Sequence, residues 1–118
     1  MKHFIVAGAG KGVGLNIAAL LAEQHHVISL SRNMTAELEK LGTRFFPIDL
    51  ARESLDSLND LPDKIDGLVY CPGSINLKPF NRLSRQDFID DFEQNVLGAV
   101  SLIQKILPNQ IGRASCRE

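Results

Sequence analysis

The stretch that decides the fold is AGAGKGVGLNIA, Ala7 to Ala18. Four glycines, Gly8, Gly10, Gly12 and Gly14, fall within seven positions. Just before them, HFIVA (His3 to Ala7) is short, apolar and rich in branched side chains, the signature of a buried strand. Just after them, Val13, Ile17, Ala18, Leu20 and Leu21 recur at helical spacing, to about Gln24. A glycine turn between a strand and a helix is the context that phosphate binding requires. Glycine reaches positive φ and lets an anion approach the main chain. The helix N-terminus adds unpaired N–H donors and partial positive charge. A tight turn without a ligand would need only one glycine.

Spacing narrows the nucleotide. A P-loop has G-x-x-x-x-G-K-[ST], but Gly10-Lys11 is followed by Gly12, and Ile5 stands where the first glycine belongs. No hydroxyl is placed for magnesium, so an ATP-hydrolysing loop is excluded. The dinucleotide pattern G-x-G-x-x-G, begun at Gly8, ends on Val13 and also fails. What fits is Gly8-x-x-x-Gly12-x-Gly14.

The rest of the chain alternates strand and helix. HVISLS (His26 to Ser31) reads as a second strand. TAELEKLG reads as a short helix with Thr35 as N-cap and Gly42 just past its end. RFFPI is a third strand, and its Pro47 argues for a sheet edge, since proline donates no ladder hydrogen bond. ESLDSLNDL reads as a weak helix and DGLVYC (Asp66 to Cys71) as a fourth strand. Ser84 and Asp87 have the spacing of a capping box, opening a long helix that ends near Pro108. Such alternation predicts an α/β, Rossmann-type doubly wound parallel sheet. The expected strand order is 3-2-1-4, cut off before a fifth strand, with the ligand crevice between strands 1 and 4.

At this point the sequence resembles the short-chain dehydrogenase/reductase family, whose turn reads T-G-x-x-x-G-x-G. Ala7 replaces the threonine. IDL (Ile48 to Leu50) stands where the family has an aspartate beside the adenine. LVYCPG matches L-V-N-N-A-G, with Tyr70, Cys71 and Pro72 in place of the two asparagines and the alanine. NVLG (Asn95 to Gly98) matches the helix motif N-V-x-G. The resemblance covers residues 1 to 107 and implies hydride transfer between a nicotinamide cofactor and a carbonyl or alcohol. A ketone or a 3-oxoacyl thioester is the substrate class it implies.

The resemblance assigns the cofactor to Gly8, Gly10, Lys11, Gly12, Val13 and Gly14 in the turn, and to Asp49, Leu50, Cys71, Pro72 and Gly73 beyond strands 3 and 4. Asp49 could otherwise cap the helix that follows; its place at the crevice rim favours the adenine. Asn95 would order a proton-relaying water, its family role. Enzymes selecting NAD(H) place an acid after strand 2, about 20 residues past the glycines, to hold the ribose 2′-hydroxyl. Here Ser31, Arg32 and Asn33 stand there instead, and Lys11 adds a second cation. Arginine offers a planar fork to a phosphate, so NADP(H) is expected over NAD(H).

Hydride transfer also needs a proton donor. The family supplies a serine and a Tyr-x-x-x-Lys from strand 5 and the helix after it. The one tyrosine here is Tyr70, and Ser74 occupies the lysine position of that pattern. The chain is therefore read as an N-terminal fragment, residues 1–109, expected to be inactive alone. A non-catalytic NADP(H)-binding regulator on the same fold is the alternative, and a Tyr-x-x-x-Lys further along the gene would decide between them. Residues 110–118 lack family likeness; one back-translation of IGRASCRE resembles a sequencing adapter, so a non-native tail is expected.

Composition bounds what remains. The chain has 118 residues, 44% hydrophobic and 23% charged, with net charge −1. That is the balance of a globular domain, with no basic field for nucleic acid or an anionic membrane. Two cysteines, Cys71 and Cys116, make no disulfide framework, and no secretory leader or membrane span is read, so a cytoplasmic home is expected. His25 and His26 have no companions at metal-ligand spacing, so no metal is expected. Val96, Val100, Ile103 and Leu107 fall near one helical stripe, and the family packs this helix against a symmetry mate. A homodimer or homotetramer is the resulting expectation.

Overall fold

The computed structural model describes residues 1–72 and 77–109. Four parallel strands form one sheet in the order β3-β2-β1-β4. They are β1 (His3–Ala7), β2 (His26–Ser31), β3 (Arg44–Pro47) and β4 (Gly67–Tyr70). β1 pairs on both sides, Ile5 lying opposite Ile28 of β2 and Leu68 of β4. Pro47 is on the edge strand as expected, and the sheet continues past it through Ile48 N–H to Ser31 O at 2.9 Å.

The alternation of side chains along buried strands builds two cores. Ile5, Ala7, Ile28 and Leu30 face one way, packed with Leu50, Leu58, Leu102 and Ile106. Val6 and Val27 face the other way, packed with Ala18 of α1 (Gly12–Ala22) and Leu38 of α2 (Ala36–Leu41). Ser29 is the one fully buried polar side chain among the described residues, and its hydroxyl pairs with that of Thr43 at 2.8 Å. α2 begins and ends as its sequence dictates: Thr35 Oγ1 accepts from Leu38 N–H at 3.2 Å, and Gly42 closes it with φ +68°. The end of α1 falls at Ala22, so His25 and His26 lie beyond it. His26 opens β2, where its ring stacks on that of His3, 4.7 Å between centroids.

Two expectations are corrected. ESLDSLNDL makes only a single 3₁₀ turn, Leu55–Ser57. Ser54 caps it, but Leu58 leaves the helical region and Asp60 takes φ +57°. Serine, aspartate and asparagine compete for backbone partners in just this way, favouring turns over helix. The helix from Ser84 is also not uniform. The capping box forms, with Ser84 N–H donating to Asp87 Oδ2 at 2.9 Å and Asp87 N–H to Ser84 Oγ at 3.2 Å. α3 (Arg85–Phe92) then passes through a π turn, Glu93–Leu97, into α4 (Gly98–Ile106). Of the three segments only α4 has fully buried residues, Gly98, Leu102 and Ile106, spaced four apart.

Candidate functional site

A crevice of about 460 Å³ opens where the strands end. Its walls come from the β1–α1 turn, the residues after β2 and β3, and Cys71 and Pro72 after β4. This is the topological switch point, with β1 leading to β2 on one side and lying beside β4 on the other, the place where open α/β sheets bind ligands.

The turn is shaped by contacts that only glycine permits. Gly8 has φ +76°, and a Cβ there would lie 2.7 Å from Pro72 N. A Cβ on Gly14 would collide with the carbonyl oxygen of Gly8. Gly12 differs: φ is +62°, but nothing lies within 4 Å of where its Cβ would be. Gly8 and Ala9 spend their N–H groups on Leu30 O, at 2.8 and 3.2 Å. The donors left for a ligand are those of the first turn of α1, which no carbonyl inside the helix can reach.

Of the residues expected to hold a cofactor, the crevice gathers Gly8, Gly10, Lys11, Gly12, Ser31, Arg32, Asn33, Asp49, Leu50, Cys71 and Pro72. Val13 and Gly14 do not line it. Val13 turns its side chain to solvent, 69% exposed, and Gly14 is buried against the strand end, so each can contribute only a backbone amide or close packing. Gly73 lies outside the described residues. Asn95 is in the π turn, exposed and not in the crevice wall, where its neighbour Gln94 stands instead.

Charge in the crevice is uneven. Lys11 and Arg32 are exposed and make no ion pair among the described residues. Ser31 Oγ donates to Asn33 O at 2.7 Å, which curls the segment after β2 around Arg32. Asp49 caps no helix, since the chain turns after it; its Oδ1 accepts from Ala51 N–H at 3.0 Å in that turn, and it faces the crevice. Tyr70 lies behind this wall. Burial, with the Asp49 charge adding to it, holds its phenol above the ordinary 10.0. Among the described residues, no group of three or more His, Cys, Asp or Glu could hold a metal ion. No described helix is long and apolar enough to cross a membrane.

Sequence reasoning missed Leu30, Thr35, Ile48 and Gln94. Thr35 was legible as a helix cap; that its hydroxyl also donates to Gly10 O at 2.9 Å needed the fold. Gln94 could not be found by counting 3.6 residues per turn, because the π turn breaks the count.

The comparisons agree with this geometry. A family model described as short chain dehydrogenase matches residues 2–117. A Haemophilus influenzae protein named "Probable NADP-dependent dehydrogenase" is 32% identical over 121 residues, covering 92% of this chain and 48% of that protein. The 3-oxoacyl-[acyl-carrier-protein] reductase FabG of Staphylococcus epidermidis is 24% identical over 129 residues, covering 97% and 53%. Among solved structures, the Cj0485 dehydrogenase matches with TM-score 0.75 and 29% identity, covering 92% of this chain and 46% of that one. A short chain dehydrogenase family protein of Francisella tularensis matches with TM-score 0.77 over 93% and 47%; at 21% identity it shows the fold alone. The chain spans about half the length of the curated relatives it matches. A family match running almost from end to end, over the fold that the glycine turn demands, makes this chain a member of the short-chain dehydrogenase family, oxidoreductases that bind nicotinamide cofactors.

Proposed function

We propose that the crevice holds the adenosine-phosphate half of NADP(H), and that the chain is the cofactor-binding part of an NADP(H)-dependent carbonyl reductase or alcohol dehydrogenase. The observation that carries this reading is the pair of cations in the crevice, with no acid at the end of β2. Lys11 and Arg32 line the crevice beside Ser31 and Asn33, at the position where a carboxylate would select NAD(H). The glycine cradle fits such a group, since Gly8, Gly10 and Gly12 line the crevice without side chains. In this reading the first turn of α1 meets the pyrophosphate, Arg32 and Lys11 meet the 2′-phosphate, and Asp49 with Leu50 borders the adenine. When bound, the nicotinamide supplies or takes the hydride. Asn95, on the exposed side of the π turn, is assigned to holding a water that relays protons. A homodimer or homotetramer through the exposed helix stripe and a small carbonyl or alcohol substrate complete the proposal. The name of the Haemophilus relative supports the cofactor, and that of the Staphylococcus relative a 3-oxoacyl thioester.

The test is a calorimetric titration of the chain with NADPH and NADH, before and after Arg32→Asp. A charge-assisted contact is worth roughly 1.5–3 kcal/mol, so the variant should lose about tenfold to a hundredfold in NADPH affinity. NADH affinity should hold or rise. Equal affinity of the unsubstituted chain for both nucleotides would refute the assignment. A regulator on this fold would bind in the same way; only turnover by the whole protein separates it from the enzyme.

A further inference from the structure

We propose that Tyr70 is a positioning residue that sets the register of helix α3 against the cofactor crevice. The inference rests on reading that crevice as the nucleotide site, but its own evidence is in the helix.

In the π turn, Gly98 N–H donates to Glu93 O, five residues back. An α-helix would have sent it to Gln94 O, four back. The Gln94 carbonyl is therefore passed over by that amide. Tyr70 O–H reaches across from the end of β4 and donates to it at 2.8 Å. The tyrosine ring is itself held, packed against the core that contains Leu102 and Ile106. Its phenol, kept above the ordinary 10.0 by burial and by Asp49, retains the proton it donates.

Gly98 belongs to the same device. A Cβ at that position would collide with the Tyr70 hydroxyl, while its next neighbours, Leu50 O and Glu93 O, lie at 3.3 and 3.4 Å. Tyrosine at 70 therefore leaves room only for glycine at 98. The consequence is angular. One extra residue in a turn rotates what precedes it by about 100° relative to a continuous α-helix. α4 is fixed by its buried Gly98, Leu102 and Ile106, so the rotation falls on α3 and on Gln94. With the extra residue in place, Gln94 lines the crevice. Without it, Gln94 turns away and the crevice wall changes chemistry.

The test reads the helix and the nucleotide separately. Scalar couplings across hydrogen bonds, measured on the isotopically labelled chain, should pair Gly98 N–H with the Glu93 carbonyl. In Tyr70→Phe the coupling should move to the Gln94 carbonyl, and NADPH affinity should fall about threefold to tenfold, the scale of one hydrogen bond. Gly98→Ala should lower the melting temperature, and Tyr70→Phe added to it should restore part of the loss, because the methyl then has room. The proposal is overturned if the unsubstituted chain lacks the Gly98–Glu93 coupling. It is also overturned if Tyr70→Phe retains that coupling, or if the double variant melts no higher than Gly98→Ala. The cofactor assignment fails on a different result, absence of NADPH binding by the unsubstituted chain.

Discussion

Replacing Gly14 by alanine sets two effects against each other. Alanine favours the helix by about 1 kcal/mol over glycine. Against that stands the Gly8 carbonyl, which the new methyl would strike. That oxygen cannot easily retreat. Gly8 is pinned by its N–H bond to Leu30 O at 2.8 Å, and its φ of +76° is already in the left-handed region. Overpacking against backbone costs about 3 kcal/mol at the upper end of its usual range, leaving a net loss of roughly 2 kcal/mol. For a chain of 118 residues that is a fall of roughly 8 °C in melting temperature. Thermal unfolding followed by circular dichroism at 222 nm measures it. Gly12→Asn is the control: nothing lies within 4 Å of a Cβ at that site, and asparagine tolerates positive φ. It should melt within a few degrees of the parent. A Gly14→Ala chain that melts higher than the parent would show that helix propensity wins and that the turn has slack.

Acid stability should depend on Asp66. Its carboxylate accepts from His3 N–H at 2.8 Å, and this bond, aided by Lys64 and Lys2 against some desolvation, holds its pKa below 3.8. The stabilisation is complete above 3.8 and disappears as pH falls through the lowered value, so Asp66→Asn should flatten the acid limb of a melting-temperature profile below about pH 4. An unchanged acid limb would remove Asp66 from the account. The exposed stripe on the last helix carries the assembly proposal: Val100 and Ile103 are 44% and 45% exposed. Val100→Asp should shift the species seen by light scattering toward monomer without lowering the melting temperature of the monomer, and an unchanged mass would sink that interface.

The fold was legible because two signals agreed. The strand–glycine–helix unit around Gly8 fixed the first crossover, and Pro47 placed β3 at the edge. The crevice was legible where backbone geometry makes it, in the glycines and in Ser31 to Asn33 at the strand end. It was illegible where a distant element contributes. Gln94 enters through a π turn, and nothing in EQNVL announces an extra residue; the hydroxyl bonded to its carbonyl comes from Tyr70, far along the chain on β4. The weak helix in ESLDSLNDL failed for a local reason, its run of small polar residues satisfying their own backbone.

Thr35 gives the glycine turn an electrostatic property that its glycines do not. Its hydroxyl has one proton, given to Gly10 O, and a lone pair, given to Leu38 N–H. A peptide carbonyl in a phosphate loop is a liability, because its negative end repels the anion that the amides attract. Here that end is already engaged by a donor from α2. The potential felt by an arriving phosphate is thereby shifted toward the amides, and the loop and α2 are joined through one oxygen. Any motion that withdraws α2 would uncover the Gly10 carbonyl and make the same loop less welcoming to an anion.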